Sequence, residues 1–167
     1  MMLKKIIIFL LILTFLLCSC ARHRHIATFQ SPFQEEVETW GVPLPNSSYK
    51  IISHFGESRR RGNHHYSHEG IDLKIEKGTP VIAVQRGTVI FADKLGNYGK
   101  LVCIKHQNQC ETRYAHLSSI AVKKNQEIKK GQIIGKVGQT GNATTPHLHF
   151  EIRKNGKPIN PLILIPK

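Results

Sequence analysis

Three short segments carry side chains whose types and spacing could bind a metal ion and catalyse hydrolysis. The first, HHYSHEGIDL at residues 64–73, holds three histidines, a glutamate and an aspartate. Its HEGID core differs by one residue from the helical zinc-protease motif HExxH, because Asp72 replaces the second histidine. The other segments are RYAHL, with His116, and PHLHFEI, with His147 and His149. Together they offer the nitrogen and oxygen ligands that zinc prefers.

A helix is the less favoured conformation for the first segment. In a helix, His68 and Asp72 would share a face and Glu69 could act as a base. Gly70 and the β-branched Ile71 disfavour a helix, and IDLKIEKGTPV alternates like a strand that enters a turn. In a straight strand, His68 and Asp72 would be roughly 13 Å apart, too far to share one ion. We therefore expect a bend at Gly70, whose backbone can adopt angles that other residues avoid.

A third ligand is expected from the pair His147 and His149. Residues two apart on a strand point to the same side, with Cα atoms roughly 6–7 Å apart. One of the pair can bind a metal while the other reaches a bound water or a substrate oxygen. With His68 and Asp72, it would form a site with an open fourth position, the form of a catalytic zinc site. The other histidine and His116 would be available for proton transfer.

A β-rich domain must position these segments. From Tyr49 onward, short β-branched runs alternate with glycine turns at intervals of about ten residues. This spacing is typical of an all-β sandwich or barrel built from antiparallel sheets. Residues 49–167 are predicted to form this domain. Residues 20–48, which lack periodicity and contain VPLPNSS, are predicted to be a mostly irregular linker.

The N-terminal sequence predicts export and lipidation. Two lysines precede an apolar run, residues 6–17, that is too short for a comfortable membrane span of roughly 20 residues. LCSC then places Leu17 three residues before Cys20, which resembles the bacterial lipobox. We expect residues 1–19 to be a signal peptide and Cys20 to carry the lipid; an uncleaved anchor and an ordinary signal peptide stay open. Ala21 after the cysteine favours the outer membrane of a Gram-negative cell, because an inner-membrane retention signal has aspartate there.

The charge and the cysteines fit an exported protein. The formal net charge of +13 favours an anionic partner. Outside the cytoplasm such partners are cell-wall polymers and lipid head groups; nucleic acid fits the charge but not the compartment. Disulfides persist in exported proteins, and Cys103 and Cys110 flank the polar turn IKHQNQ. They could form a disulfide or stay half-buried thiols, depending on strand register.

Several motifs, in their order and spacing, resemble the lysostaphin-like (LytM-type) zinc endopeptidases of cell-wall metabolism. The resemblance runs from about residue 51 to residue 164. It is carried by ISHFGESR, HEGIDL, GTPVIAVQRGTVIFA, GNYGKLVCIKH, RYAHL, KKGQIIGKVGQTGNATTPHLHFEI and NGKPINPL. It implies antiparallel β-sheets around a narrow groove, with one zinc ion at the floor.

The resemblance also implies the role of each site residue. His68, Asp72 and His149 become the metal ligands, and His116 and His147 become the catalytic histidines. Zinc would lower the pKa of a water, one catalytic histidine would take its proton, and the other would stabilise the oxyanion. Either histidine could serve as the base. The implied substrate is the peptide part of peptidoglycan, and an outer-membrane lipoprotein suits a D-Ala–diaminopimelate cross-link.

Two other functions stay open. Non-catalytic members of the family, which have lost ligands or catalytic histidines, activate an amidase by protein contact, whereas all five residues are present here. A wall-binding module would hold peptidoglycan without cutting it. The basic charge fits such a module, but the five polar residues would then be unused.

Overall fold

A computed structural model describes residues 39–45 and 49–166. Within these residues the chain forms strands β1 (Lys50–Ser53), β2 (Ser58–Arg61), β3 (His64–Ser67), β4 (Ile71–Lys74), β5 (Pro80–Ile82), β6 (Gly87–Leu95), β7 (Gly99–Lys105), β8 (Cys110–Leu117), β9 (Ser119–Ile120), β10 (Glu127–Ile128), β11 (Ile133–Lys136), β12 (Leu148–Lys154) and β13 (Lys157–Ile159). Two 3-10 turns, Gly96–Tyr98 and Pro161–Ile163, interrupt them. The predicted all-β class is confirmed.

Antiparallel pairing organises the strands into three sheets. The large sheet has the order β1-β4-β12-β8-β7-β6-β10, with β13 also paired to β12. A second sheet has the order β5-β11-β9, and β2 and β3 form a separate hairpin. No sheet within the described ranges closes into a barrel. The fold is therefore a set of open antiparallel sheets.

The central strand β12 presents different chemistry on its two faces. Leu148, Phe150 and Ile152 are fully buried in the apolar core. Because successive side chains of a strand point to opposite faces, His149 and Glu151 lie on the other face. A strand with one apolar face and one polar face can anchor the core and carry a site together.

Residues 39–45 pack against the domain, although the sequence predicted them to belong to the linker. Leu44 is only 2% exposed and lies in the core cluster. The Gly41 N–H donates to the carbonyl of Val84 at 2.8 Å. The packed part of the chain therefore starts before the predicted boundary at residue 49.

The disulfide considered for Cys103 and Cys110 is not formed. Both residues are buried free thiols. The register of β7 and β8 pairs Cys103 with Arg113, three residues beyond Cys110. Three residues of strand span roughly 10 Å, more than the limit of about 7 Å between the Cα atoms of a disulfide. The second option, two free thiols, describes the structure.

Several predictions fall outside the described residues. These are the signal peptide at residues 1–19, the lipidated Cys20 and the linker as far as residue 38. Among the residues that are described, no helix combines the length and apolar character needed to cross a membrane.

Candidate active site

The five side chains predicted for the site converge on one groove. They are His68, in the loop before β4; Asp72, on β4; His116, near the end of β8; His147, just before β12; and His149, on β12. All five are buried. They line a groove with a volume of about 800 Å³. The structure thus brings together three segments that are distant in sequence.

Strand register and close packing position two of these residues. Asp72 on β4 lies directly opposite His149 on β12. Gly70 allows the loop before β4 to approach β12, because a Cβ there would lie 2.3 Å from the carbonyl oxygen of Phe150. Gly70 is not among the glycines with positive φ. Glycine is therefore needed here for close approach, and the expected reason, an unusual backbone angle, is wrong.

Three atoms of the kinds that bind metals lie close together. They belong to His68, Asp72 and His149, which we call the ligand cluster. Asp72 Oδ1 lies 3.2 Å from His68 Nε2 and 2.8 Å from His149 Nδ1. The two ring nitrogens are 3.0 Å apart. Ligand atoms in a tetrahedral zinc site are separated by roughly 3.3 Å, given bond lengths of about 2.0–2.1 Å. The spacing of the cluster therefore fits a zinc ion.

The hydrogen bonds of the two ligand histidines also fit a cation. His68 Nδ1–H donates to the carbonyl of His54 at 2.8 Å, which leaves a lone pair on Nε2. His149 Nε2–H donates to Glu151 Oε1 at 3.0 Å, so in the neutral ring the lone pair is on Nδ1. Both lone pairs face Asp72 Oδ1. Three electron-rich atoms that converge in this way are stabilised by a positive ion between them.

Arg59 holds the second carboxylate oxygen of Asp72. Its Nη2 donates to Asp72 Oδ2 at 2.5 Å and to Ser53 Oγ at 2.8 Å. Burial alone would raise the pKa of Asp72, but its contacts with His149, His68 and Arg59 outweigh burial and hold the pKa well below its usual range. Asp72 is therefore ionised, with Oδ1 left for the ligand cluster.

His116 and His147 are oriented alike by backbone carbonyls. His116 Nδ1–H donates to the carbonyl of Thr140, and His147 Nδ1–H donates to that of Thr145, each at 2.8 Å. In the neutral form of each ring, Nε2 is therefore the unprotonated nitrogen. The ring centroids are 4.7 Å apart, and His147 Nε2 lies 3.8 Å from Asp72 Oδ1. Two proton acceptors thus stand beside the ligand cluster.

The backbone and surroundings of His116 are unusual. Burial, followed by the charge of His147, lowers its pKa from 6.5 to about 4, so the ring is neutral at neutral pH. Its φ is +61°, in the left-handed region that few residues other than glycine adopt. Such backbone strain is often found at functional sites.

The loop between β11 and β12 carries Thr140 and Thr145, whose carbonyls orient both rings. This loop packs against the 3-10 turn Gly96–Tyr98. A Cβ on Gly141 would lie 2.3 Å from the carbonyl oxygen of Asn97, so the loop and the 3-10 turn are in close contact. Thr140 Oγ1 accepts from the Lys100 N–H and donates to the carbonyl of Leu117, both at 2.9 Å. The carbonyl that His116 binds is therefore fixed in place.

Sequence reasoning missed several supporting residues. Glu151 could have been found, because it continues the alternation of His147 and His149 along one strand face. Arg59 carried no such signal, because only the β2–β3 hairpin brings it near Asp72.

A family model described as peptidase family M23 matches residues 66–161, more than half of the chain. The chain belongs to peptidase family M23. All five groove residues lie inside the matched part. The expected resemblance to the lysostaphin-like (LytM-type) peptidases is confirmed, and peptidases of this family are zinc-dependent.

Two curated relatives of this M23 chain have different functions. It is 46% identical over 95 residues to the DD-carboxypeptidase/endopeptidase Mpg of Neisseria meningitidis, covering 57% of this chain and 22% of that protein. It is 40% identical over 132 residues to the murein hydrolase activator NlpD of Escherichia coli, covering 78% of this chain and 32% of that protein. The chain thus spans less than a third of the length of either relative.

A solved structure shares the fold of this M23 domain. A zinc-containing peptidase from Vibrio cholerae superimposes with a TM-score of 0.68 and 34% sequence identity. The match covers 73% of this chain and 39% of that one. The M23 fold and a peptidoglycan-related family are therefore shown, while the relatives include both a peptidase and an activator.

Proposed function

We propose that this chain is a zinc-dependent endopeptidase that hydrolyses peptide cross-links of peptidoglycan. One observation carries the proposal: the free Nε2 atoms of His116 and His147 lie in the same groove as the ligand cluster. A protein that only binds the wall would need the groove but not two positioned proton acceptors. An endopeptidase needs both.

The ligand cluster would hold one zinc ion per chain. When bound, zinc supplies Lewis acidity and lowers the pKa of water towards neutrality. Three protein ligands leave one position open, which is typical of catalytic rather than structural zinc sites. Burial of all three side chains excludes competing water from their hydrogen bonds.

His116 and His147 would divide the proton transfers between them. One Nε2 takes a proton from the attacking water as general base. The other ring, when protonated, donates a hydrogen bond to the oxyanion on the tetrahedral carbon. A proton held on either ring can then pass to the leaving amine. The carbonyls of Thr140 and Thr145 keep both Nε2 atoms directed into the groove throughout.

The substrate proposal rests on the relatives and on charge. Mpg is named as a carboxypeptidase and endopeptidase, and NlpD as an activator of murein hydrolases. A net charge of +13 would attract an anionic cell-wall polymer. The cross-link between D-Ala and diaminopimelate is the bond we assign.

The cellular location forms part of the proposal. A lipid on Cys20 would anchor the protein to a membrane facing the periplasm, with the outer membrane favoured by Ala21. Anchoring next to peptidoglycan would keep the protein close to its proposed substrate.

A second function is favoured by the NlpD match. With 40% identity over 132 residues, the chain could act through contact with an amidase instead of by hydrolysis. The two functions differ in their products. An endopeptidase shortens cross-linked peptides, whereas an activated amidase releases stem peptides from the sugar chain.

The test is digestion of purified cross-linked peptidoglycan by the soluble chain from Ala21 onward. Products are identified by mass spectrometry, with and without a chelator, and with and without a purified peptidoglycan amidase. We expect cross-linked muropeptides to disappear without the amidase and to persist with the chelator. Release of stem peptides by the chain and the amidase together, and by neither alone, would instead establish the activator function.

A further inference from the structure

Glu151 is a fully buried carboxylate on the polar face of β12, two residues after the ligand His149. Its exposed fraction is 0%. A buried charge is costly unless partners compensate it. The contacts of Glu151 therefore indicate what it does.

Both oxygens of Glu151 are fully engaged. Oε1 accepts from His149 Nε2 at 3.0 Å and from the Tyr98 hydroxyl at 2.6 Å. Oε2 accepts from Arg153 Nε at 2.8 Å, with Arg113 Nε 3.9 Å away. An ionised carboxylate with two arginines and a tyrosine around it can only accept a hydrogen bond from His149.

This contact favours the tautomer of His149 that can bind a cation in the groove. The ring lies between two carboxylates, with Asp72 Oδ1 2.8 Å from Nδ1 and Glu151 Oε1 3.0 Å from Nε2. When a cation takes the lone pair of Nδ1, the one proton of a neutral imidazole lies on Nε2, where Glu151 accepts it. That lone pair is directed at the point shared with His68 Nε2 and Asp72 Oδ1. A carboxylate behind a ligating histidine also makes the ligating nitrogen more basic.

We propose that Glu151 is a positioning residue that fixes the tautomer of His149 and strengthens metal binding by the ligand cluster. The inference rests on the proposed zinc site. Tyr98 extends this arrangement to the groove, because its ring lines the groove while its hydroxyl binds Glu151. Glu151 is fully buried and contacts His149 Nε2, so its effect on metal binding would pass through His149.

The first test measures zinc affinity by competition with a chromophoric chelator. Glu151→Gln keeps the side-chain shape but removes the charge, and we expect zinc affinity to fall roughly 10- to 100-fold. Glu111→Gln is the matched control. Glu111 accepts a hydrogen bond at 2.7 Å from Arg113, the arginine that also lies near Glu151, but Glu111 has no contact with His149. We expect its zinc affinity to stay within about threefold of wild type, because electrostatic effects without direct contact are small at this exposure.

Equal zinc affinities of wild type and Glu151→Gln, with both folded, would overturn the inference. A wild-type chain that binds no zinc would instead overturn the proposed zinc site, so the two failures are distinguishable. An equal loss of affinity in Glu111→Gln would show a general charge effect and would also overturn the role assigned to Glu151.

A second measurement needs no variant and decides the matter if Glu151→Gln does not fold. In wild-type protein with zinc and ¹⁵N-labelled histidine, NMR identifies which nitrogen of each ring carries the proton. We expect His149 to carry it on Nε2, with the proton resonance shifted downfield by the carboxylate. A proton on Nδ1 of His149, or an Nε2 proton without the downfield shift, would overturn the inference.

Discussion

His116 combines an unusual backbone with a proposed catalytic role, and this limits which substitutions can test that role. Its φ of +61° is tolerated better by asparagine than by most other residues. Alanine in that region costs roughly 1–2 kcal/mol in regular backbone. His116→Asn therefore separates the loss of the ring from a backbone effect, which His116→Ala does not.

We expect His116→Asn to bind zinc as the wild type does and to hydrolyse peptidoglycan roughly 10²- to 10⁴-fold more slowly, the usual contribution of a general acid or base. The reason is that His116 is absent from the ligand cluster but presents Nε2 to the groove. Zinc content per chain and initial rates of muropeptide release provide the measurement. A wild-type rate in the zinc-loaded variant would remove His116 from the mechanism.

The lowered pKa of His116 predicts a pH dependence of stability. Between pH 6.5 and about 4, the unfolded chain takes up a proton at this position that the folded chain excludes. The contribution of His116 to the free energy of unfolding is therefore fully present above pH 6.5 and is lost as the pH falls towards 4. The lowering from 6.5 to about 4 corresponds to roughly 3 kcal/mol.

Urea unfolding in the presence of a chelator, at several values between pH 7 and pH 4, measures this effect. We expect the free energy of unfolding of the wild type to fall more steeply with decreasing pH than that of His116→Asn. The difference isolates His116 from the other histidines, which both proteins share. If the free energy of unfolding falls equally steeply with pH in both proteins, His116 is not buried as a neutral ring.

At the scale of elements, the domain includes a segment that precedes its predicted first residue, 49. Residues 39–45 contribute Leu44 to the core and pair with Val84 through Gly41. This segment lines no part of the groove. Its contribution should therefore be to stability and not to catalysis.

We expect Leu44→Ala to lower the free energy of unfolding by about 2–5 kcal/mol, because it leaves a cavity in the core. Leu95→Ala, at a residue that is 46% exposed, is the matched control. Its effect should stay within about 0.5 kcal/mol. Urea unfolding of both variants gives the comparison. Equal stability of the two variants would mean that residues 39–45 belong to the linker after all.

Local sequence signals predicted much of the fold, and the family resemblance completed the predicted ligand cluster. Glycine-bounded β-branched runs became strands, and the two-residue spacing of His147 and His149 placed both on the groove side, as alternation requires. Contacts between distant segments were not predictable from such signals. Arg59 reaches Asp72 only through the β2–β3 hairpin, and Leu44 reaches the core across an irregular segment.

Gly70 shows the same limit in a single residue. The sequence indicated that glycine was needed there but suggested backbone freedom as the reason. The actual reason is that any Cβ at this position would lie 2.3 Å from the carbonyl oxygen of Phe150, and this depends on how β12 packs beside the loop. Packing of this kind is set by the tertiary structure.

At the scale of the whole molecule, an endopeptidase of the cell wall must reach its polymer. The predicted lipid at Cys20 would confine a basic protein to the membrane next to peptidoglycan. Its net charge of +13 falls to +11 once Lys4 and Lys5 leave with the signal peptide. Confinement raises the local concentration of enzyme at the wall.

We expect cells that express the full chain to incorporate labelled palmitate into it, and Cys20→Ala to abolish the label. Cys18→Ala is the matched control, because it removes the neighbouring cysteine while the lipobox cysteine stays. Labelling should persist in this variant. Label that survives in Cys20→Ala would contradict the predicted anchor.

The central claim is that this chain itself hydrolyses a peptide bond with zinc in the ligand cluster. The most direct measurement uses a purified, soluble, cross-linked muropeptide dimer and the zinc-loaded chain from Ala21 onward, with no other protein present. This substrate removes wall binding and amidase activation from the result. We predict monomeric muropeptides by mass spectrometry, and none after chelation. An intact dimer, with one zinc ion bound per chain, would contradict the claim.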